Sequence, residues 1–219
     1  MFHSLKRLTA ATVFLAAAFT ANAAKPNFPE PPTDPAPAAK GMATAVLAGG
    51  CFWGTEGVFE HVKGVKEVLT GYAGGSAKDA DYEIVSTGRT GHAESVQITY
   101  DPAVVSYGQL LKIFFSVAHD PTQLDHQGND YGKQYRSAIF YSTPEQKKVA
   151  EEYIKQLNDA KTFRSKIVTQ IVPLEKFYKA EEYHQDFVKR NPTQGYVVFA
   201  ELPKIRDLKA KYPSMWKEW

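Results

Sequence analysis

Cysteine is almost missing from this chain: Cys51 is the only one in 219 residues. No intramolecular disulfide can form, and a lone thiol in an exported protein is either buried and inert or kept because its reactivity is used. Long hydrophobic runs are missing too. The run from Leu8 to Phe19 holds about 12 residues, short of the roughly 20 a membrane-spanning helix needs, so stable membrane insertion is not expected. No excess charge of one sign is present, since 26 basic residues face 24 acidic ones. Two of the basic residues, Lys6 and Arg7, lie before Leu8, and without them the balance is 24 against 24. Neither nucleic acid nor an acidic membrane surface is indicated as a partner. There is no internal repeat, which argues against a solenoid.

Met1 to Ala23 has a basic start, a short apolar run and the small-residue site Ala21-Asn22-Ala23. This pattern predicts a signal peptide cleaved after Ala23 and a protein exported, in a bacterial setting, to the periplasm. Residues 24–43 read as a linker, with prolines at 26, 29, 31, 32, 35 and 37 between Lys25 and Lys40 and no helical or strand period. The remaining 44–219 are expected to form one catalytic domain.

Within that domain, Cys51 follows the apolar run Ala45-Val46-Leu47 and the pair Gly49-Gly50, and precedes a helix-like stretch from Phe52 to about Val62. A glycine turn from strand to helix leaves the first backbone N–H groups free, and these donors with the helix dipole favour a thiolate at Cys51. Phe52, Thr55, Phe59 and Val62 share the expected core stripe, whereas Trp53 lies about a hundred degrees away. A large ring off the core stripe and next to the sulfur reads as a pocket wall.

Further strands are expected at Lys66 to Thr70, Ala93 to Tyr100, Tyr135 to Tyr141 and Ile167 to Val172. Ala93 to Tyr100 alternates so that Glu94 shares a face with Val96, Ile98 and Tyr100. A carboxyl held on an apolar face has its pKa raised and can carry a proton near neutrality. Helices are expected from Ser106 to Ala118, with a Ser106/Gln109 capping box, from Pro144 through Leu157, and along a stripe of Phe177, Ala180, His184 and Phe187. Residues 119 to 134 read as a long polar loop, a length usually tied to function. The interleaved order predicts an α+β, two-layer domain with helices on a mixed or antiparallel sheet.

Six ordered blocks then carry a resemblance to the type A peptide methionine sulfoxide reductases: Gly50-Cys51-Phe52-Trp53-Gly54, Gly71-Tyr72-Ala73-Gly74-Gly75, Thr90-Gly91-His92-Ala93-Glu94, Gln127-Gly128-Asn129-Asp130, Gln134-Tyr135-Arg136-Ser137 and Glu182-Tyr183-His184-Gln185. The resemblance implies a ferredoxin-like split β-α-β core and reduction of methionine S-sulfoxide, free or in oxidised proteins. It implies Cys51 as nucleophile and Glu94 as acid. Phe52 and Trp53 would be the apolar walls for the substrate methyl group, Tyr82 and Tyr135 hydroxyl donors to the sulfoxide oxygen, and Asp130 a partner of the substrate backbone or reductant. No metal or resident cofactor is implied, and a monomer is expected. Many relatives carry a second cysteine that resolves the Cys51 sulfenic acid; here Ser86 stands where some have one. The implied reductant is therefore external: a thioredoxin-like or glutaredoxin-like protein, or a small thiol. Two other readings remain on the residues alone, a cysteine hydrolase with His184 as base and an aromatic-rich binding module with an inert Cys51.

Overall fold

The computed structural model describes residues 28–32 and 41–219. The expected signal peptide, 1–23, and most of the proline-rich stretch lie outside the described residues. The chain runs β1 (Ala43–Gly49), α1 (Phe52–Glu60), β2 (Val65–Ala73), α2 (Tyr82–Val85), β3 (Ala93–Tyr100) and α3 (Tyr107–Ile113). It continues with β4 (His126–Gln127), β5 (Asp130–Tyr131), β6 (Ser137–Tyr141), α4 (Pro144–Asp159), β7 (Gln170–Pro173), β8 (Phe177–Lys179), α5 (Phe187–Arg190) and α6 (Leu202–Lys211).

Six strands form one mixed sheet in the order β7-β6-β1-β3-β2-β8. The inner four, β6-β1-β3-β2, are antiparallel neighbours throughout and make the split β-α-β core: β3 lies between β1 and β2, which α1 connects. β7 adds parallel to β6 after α4, and β8 adds antiparallel to β2. The alternation of β3 puts Val96, Ile98 and Tyr100 into the large core with Phe52, Phe59, Leu110, Phe114 and Tyr153. The opposite face carries a smaller cluster of Val46, Ala48, Ala73, Ala93, Ala138 and Phe140. Central β1 is thus buried on both faces, as its unbroken apolar run Ala45-Val46-Leu47-Ala48 requires.

The Ser106/Gln109 capping box forms as expected, and the helix it opens changes to a π-helical turn over Phe114–Ala118. One expectation is overturned. The stripe of Phe177, Ala180, His184 and Phe187 is not one helix: Phe177–Lys179 pair with β2, Glu182–His184 form a 3-10 turn, and only Phe187–Arg190 are α-helical. The edge of β2 takes Phe177 into the sheet, and Asp186 breaks the run with a left-handed φ of 52°. Residues 28–32 lie along α3 and α4. The Tyr153 hydroxyl donates to Pro29 O at 3.1 Å, Gln156 Nε2 donates to Glu30 O at 3.0 Å, and Phe28 meets Phe163 edge-on.

Candidate active site

Cys51 is the N-cap of α1, at the end of the turn that leaves central strand β1. Gly50 makes that turn with φ +89°, and a Cβ there would lie 2.6 Å from Gln127 Cγ. The polar stretch 119–134 folds back here as the β4–β5 hairpin, which brings Asn129 and Asp130 to the cleft beside the sulfur.

Glu94 enters from β3, with 2 % of its surface exposed, and Oε2 accepts the Phe52 backbone N–H at 3.1 Å. Cys51 and Glu94 therefore meet at one helix terminus. Burial pushes the Glu94 carboxyl up to about 8; the Phe52 amide opposes this, and the charges of Asp130 and Glu201 add to it. At neutral pH Glu94 is a proton-bearing acid.

The thiol does not follow the expectation drawn from the helix terminus. Burial, then Glu201 and Glu94, push Cys51 well above the ordinary cysteine value, outweighing Lys204 and the Trp53 backbone N–H that pull it down. The first free amide of α1 is given to Glu94, and two carboxyl groups face the sulfur. The resting side chain is a thiol.

The aromatic residues are held by one another. Trp53 stacks on Phe187 with ring centroids 3.7 Å apart and planes 8° from parallel, and its indole N–H donates to His184 Nδ1 at 3.0 Å. Phe52 is buried against His184 and Tyr72 at centroid distances of 4.9 and 6.0 Å. Tyr82 starts α2 and packs its ring on His184 at 4.4 Å. Burial first, then Glu94 and Cys51, raise the Tyr82 phenol to about 12, and the same influences raise Tyr135. Both hydroxyls thus stay protonated donors within the field of Cys51 and Glu94. His184 is committed to Trp53, which leaves a cysteine hydrolase without its base. His92 and Arg136 serve the loops: Arg136 donates to the carbonyls of His92 and Gly91, and His92 Nε2 meets Ser76 O at 3.0 Å.

The sulfur opens onto a cleft of about 520 Å³ lined by Gln127, Asn129, Asp130, Tyr196, Phe199 and Lys204 among others. Three of its neighbours escape the sequence reading: Tyr196, whose hydroxyl donates to Asp130 Oδ2 at 2.6 Å, and the pair Glu201 and Lys204. A signal for Glu201 exists. It stands four residues after Val197, at the end of Val197-Val198-Phe199-Ala200, and both ends of that turn are fully buried. Among the described residues, no group of His, Cys, Asp and Glu could hold a metal ion.

A family model described as peptide methionine sulfoxide reductase matches residues 43–215. The chain is 57% identical over 181 residues to the peptide methionine sulfoxide reductase MsrA 2 of Mesorhizobium japonicum, covering 83% of this chain and 93% of the relative. It is 55% identical over 192 residues to the MsrA 2 of Synechocystis, covering 86% and 90%. Among solved structures, methionine sulfoxide reductase A of Corynebacterium diphtheriae aligns with a TM-score of 0.63 at 37% identity over 72% of this chain and 78% of that one. Reduced Mxr1 of Saccharomyces cerevisiae aligns with a TM-score of 0.62 at 34% identity over 70% and 87%.

Proposed function

This chain belongs to the type A peptide methionine sulfoxide reductases, the enzymes that reduce methionine S-sulfoxide, and from that premise we propose that Cys51 and Glu94 carry the reaction as nucleophile and acid. The observation that carries this reading is their meeting at the N-terminus of α1, with the Phe52 amide on Glu94.

A sulfoxide oxygen leaves sulfur only once it is protonated. Glu94 gives its proton to that oxygen while the Cys51 sulfur attacks, and the thiol proton restores Glu94. In net terms the substrate S–O bond breaks, a Cys51 S–O bond forms, and methionine and Cys51 sulfenic acid result. Tyr82 and Tyr135 donate hydrogen bonds to the oxygen as its charge develops, and Trp53, fixed by Phe187 and His184, walls the methyl group with Phe52. Asp130, across the cleft, receives the substrate backbone or the reductant.

Recycling is intermolecular, because Cys51 is the only cysteine. An external thiol attacks the sulfenic acid, releases water and leaves a mixed disulfide; a second thiol frees Cys51. A thioredoxin-like or glutaredoxin-like protein, or a small thiol, supplies these electrons. The signal-like start of the chain supports a role in repairing oxidised exported proteins, in the periplasm. The test is methionine formed from each sulfoxide epimer with dithiothreitol as reductant. Wild type should turn over the S epimer and Cys51→Ser should not; activity surviving in Cys51→Ser removes Cys51 from the nucleophile's role.

A further inference from the structure

Glu201 is fully buried, its Oε2 accepts from Lys204 Nζ at 2.7 Å, and its Oε1 is buried without a partner. Burying a carboxylate with one oxygen unsatisfied costs stability that an apolar residue would not, so packing alone gives no reason for it. The carboxylate rests on the first turn of α1: a Cβ on Gly54, three residues after Cys51, would lie 1.6 Å from Oε2. Lys204 lines the same cleft as Cys51 and keeps 24% of its side chain exposed.

We propose that the Glu201–Lys204 pair tunes the protonation of Cys51 in the resting enzyme, as positioning residues acting through the sulfur: Glu201 adds to burial in holding it as a thiol, and Lys204 supplies counter-charge to the thiolate. Of the charges acting on the sulfur, Glu201 is the strongest and Lys204 is the cation opposing it. The other titratable groups facing Cys51 are Glu94 from β3, Asp130 from β5, Tyr82 from α2, Tyr135 from the 3-10 turn Lys133–Tyr135, and Tyr196 from the helical turn before Val197–Glu201. A resting thiol reacts slowly with stray oxidants, since the thiolate is the reactive form. That restraint matters in a chain with no second cysteine to capture a sulfenic acid. The inference rests on the reading of Cys51 as nucleophile.

The test is the pH dependence of Cys51 alkylation by iodoacetamide in the full chain. Removing Lys204 alone would leave the buried Glu201 without its ion-pair partner, so its effect is read in the Glu201→Gln background. Glu201→Gln should lower the alkylation midpoint and speed the reaction at pH 7, by about tenfold for each pH unit by which the midpoint falls. Adding Lys204→Met should raise the midpoint again, whereas adding Lys204→Arg should leave it low. A pair of purely structural importance would not move the midpoint in opposite directions; an unmoved midpoint, or one moved the same way by both changes, overturns the proposal. Glu201→Met serves if Glu201→Gln does not fold. Alkylation reads the thiol without turnover, so failure here is distinct from sulfoxide reduction surviving in Cys51→Ser.

Discussion

The indole N–H of Trp53 donates to Nδ1 of His184, and this bond joins the stack on Phe187 in fixing the orientation of the largest ring beside Cys51. Accepting at Nδ1 puts the proton of the neutral ring on Nε2, a buried atom without a hydrogen-bond partner. Burial holds His184 below the ordinary histidine value, although Glu181 pulls the other way. His184→Phe keeps the ring contacts and removes the acceptor. Leaving the indole unsatisfied should lower kcat/KM by roughly 5- to 30-fold, the weight of about 1–2 kcal/mol, mainly through KM. Steady-state kinetics decide it; an unchanged KM means that Phe187 alone orients Trp53.

Glu94 links catalysis and stability through one proton. In the proposed role of acid it must be protonated, so turnover should fall as pH rises through about 8, and Glu94→Gln should lower kcat by roughly 100-fold or more. The folded value lies above the unfolded value of about 4.3, so between these limits the folded chain holds a proton that the unfolded chain has released. Stability from this group is complete below the lower limit and is lost as pH rises through the upper one. Melting curves should therefore show Glu94→Gln gaining on wild type as pH rises from the lower limit to about 8. Parallel curves would place the charged form of Glu94 at no disadvantage in the fold.

Features that depend on neighbours in sequence are legible in it. The period-2 alternation of Ala93 to Tyr100 places Glu94 on the core face, the buried run before Cys51 marks central β1, and Ser106 with Gln109 marks a helix start. Features that depend on distant segments are not. The spacing of Phe177, Ala180, His184 and Phe187 fits a helix, and only the open edge of β2 draws its first part into a strand. The thiol departs from expectation for the same reason: the helix terminus is local, whereas the burial and the two carboxyl groups that outweigh it come from β3 and the C-terminal segment. Tyr196, Glu201 and Lys204 reach the site only because that segment folds back across α1.

Gln185 shows what holds that arrangement where β8 ends. Its side chain accepts the Thr70 N–H at 3.0 Å and donates to Thr70 O at 3.1 Å and Ala180 O at 3.0 Å, completing the hydrogen bonds of β2 one residue beyond its pairing with β8. Gln185→Leu keeps the bulk and strands the Thr70 N–H and the Ala180 carbonyl in the interior, while Thr70 O keeps the Ala180 N–H at 2.9 Å. The expected loss is about 2–4 kcal/mol, or roughly 5 to 15 °C in Tm, read by thermal denaturation. A drop under about 2 °C would mean that water reaches Thr70 and replaces the side chain.

The walls of the cleft are tied across its mouth by Tyr196, whose hydroxyl donates to Asp130 Oδ2 at 2.6 Å and whose ring meets Trp53 edge-on at 6.0 Å. Burial first, with the negative charges around it, raises the Tyr196 phenol, so the donor keeps its proton through neutral pH. Tyr196→Phe retains the ring and cuts the tie, which should loosen the β4–β5 hairpin beside Cys51. Asp130 then no longer holds its place beside an incoming ligand, and KM for a methionine sulfoxide peptide should rise about fivefold, the weight of about 1 kcal/mol. The same change should speed iodoacetamide alkylation of Cys51 by a constant factor at all pH values, because access improves while Glu201, Glu94 and Lys204, the charges that act on the sulfur, stay in place. A shift of the alkylation midpoint in Tyr196→Phe would instead make the hydroxyl part of the electrostatics of the thiol.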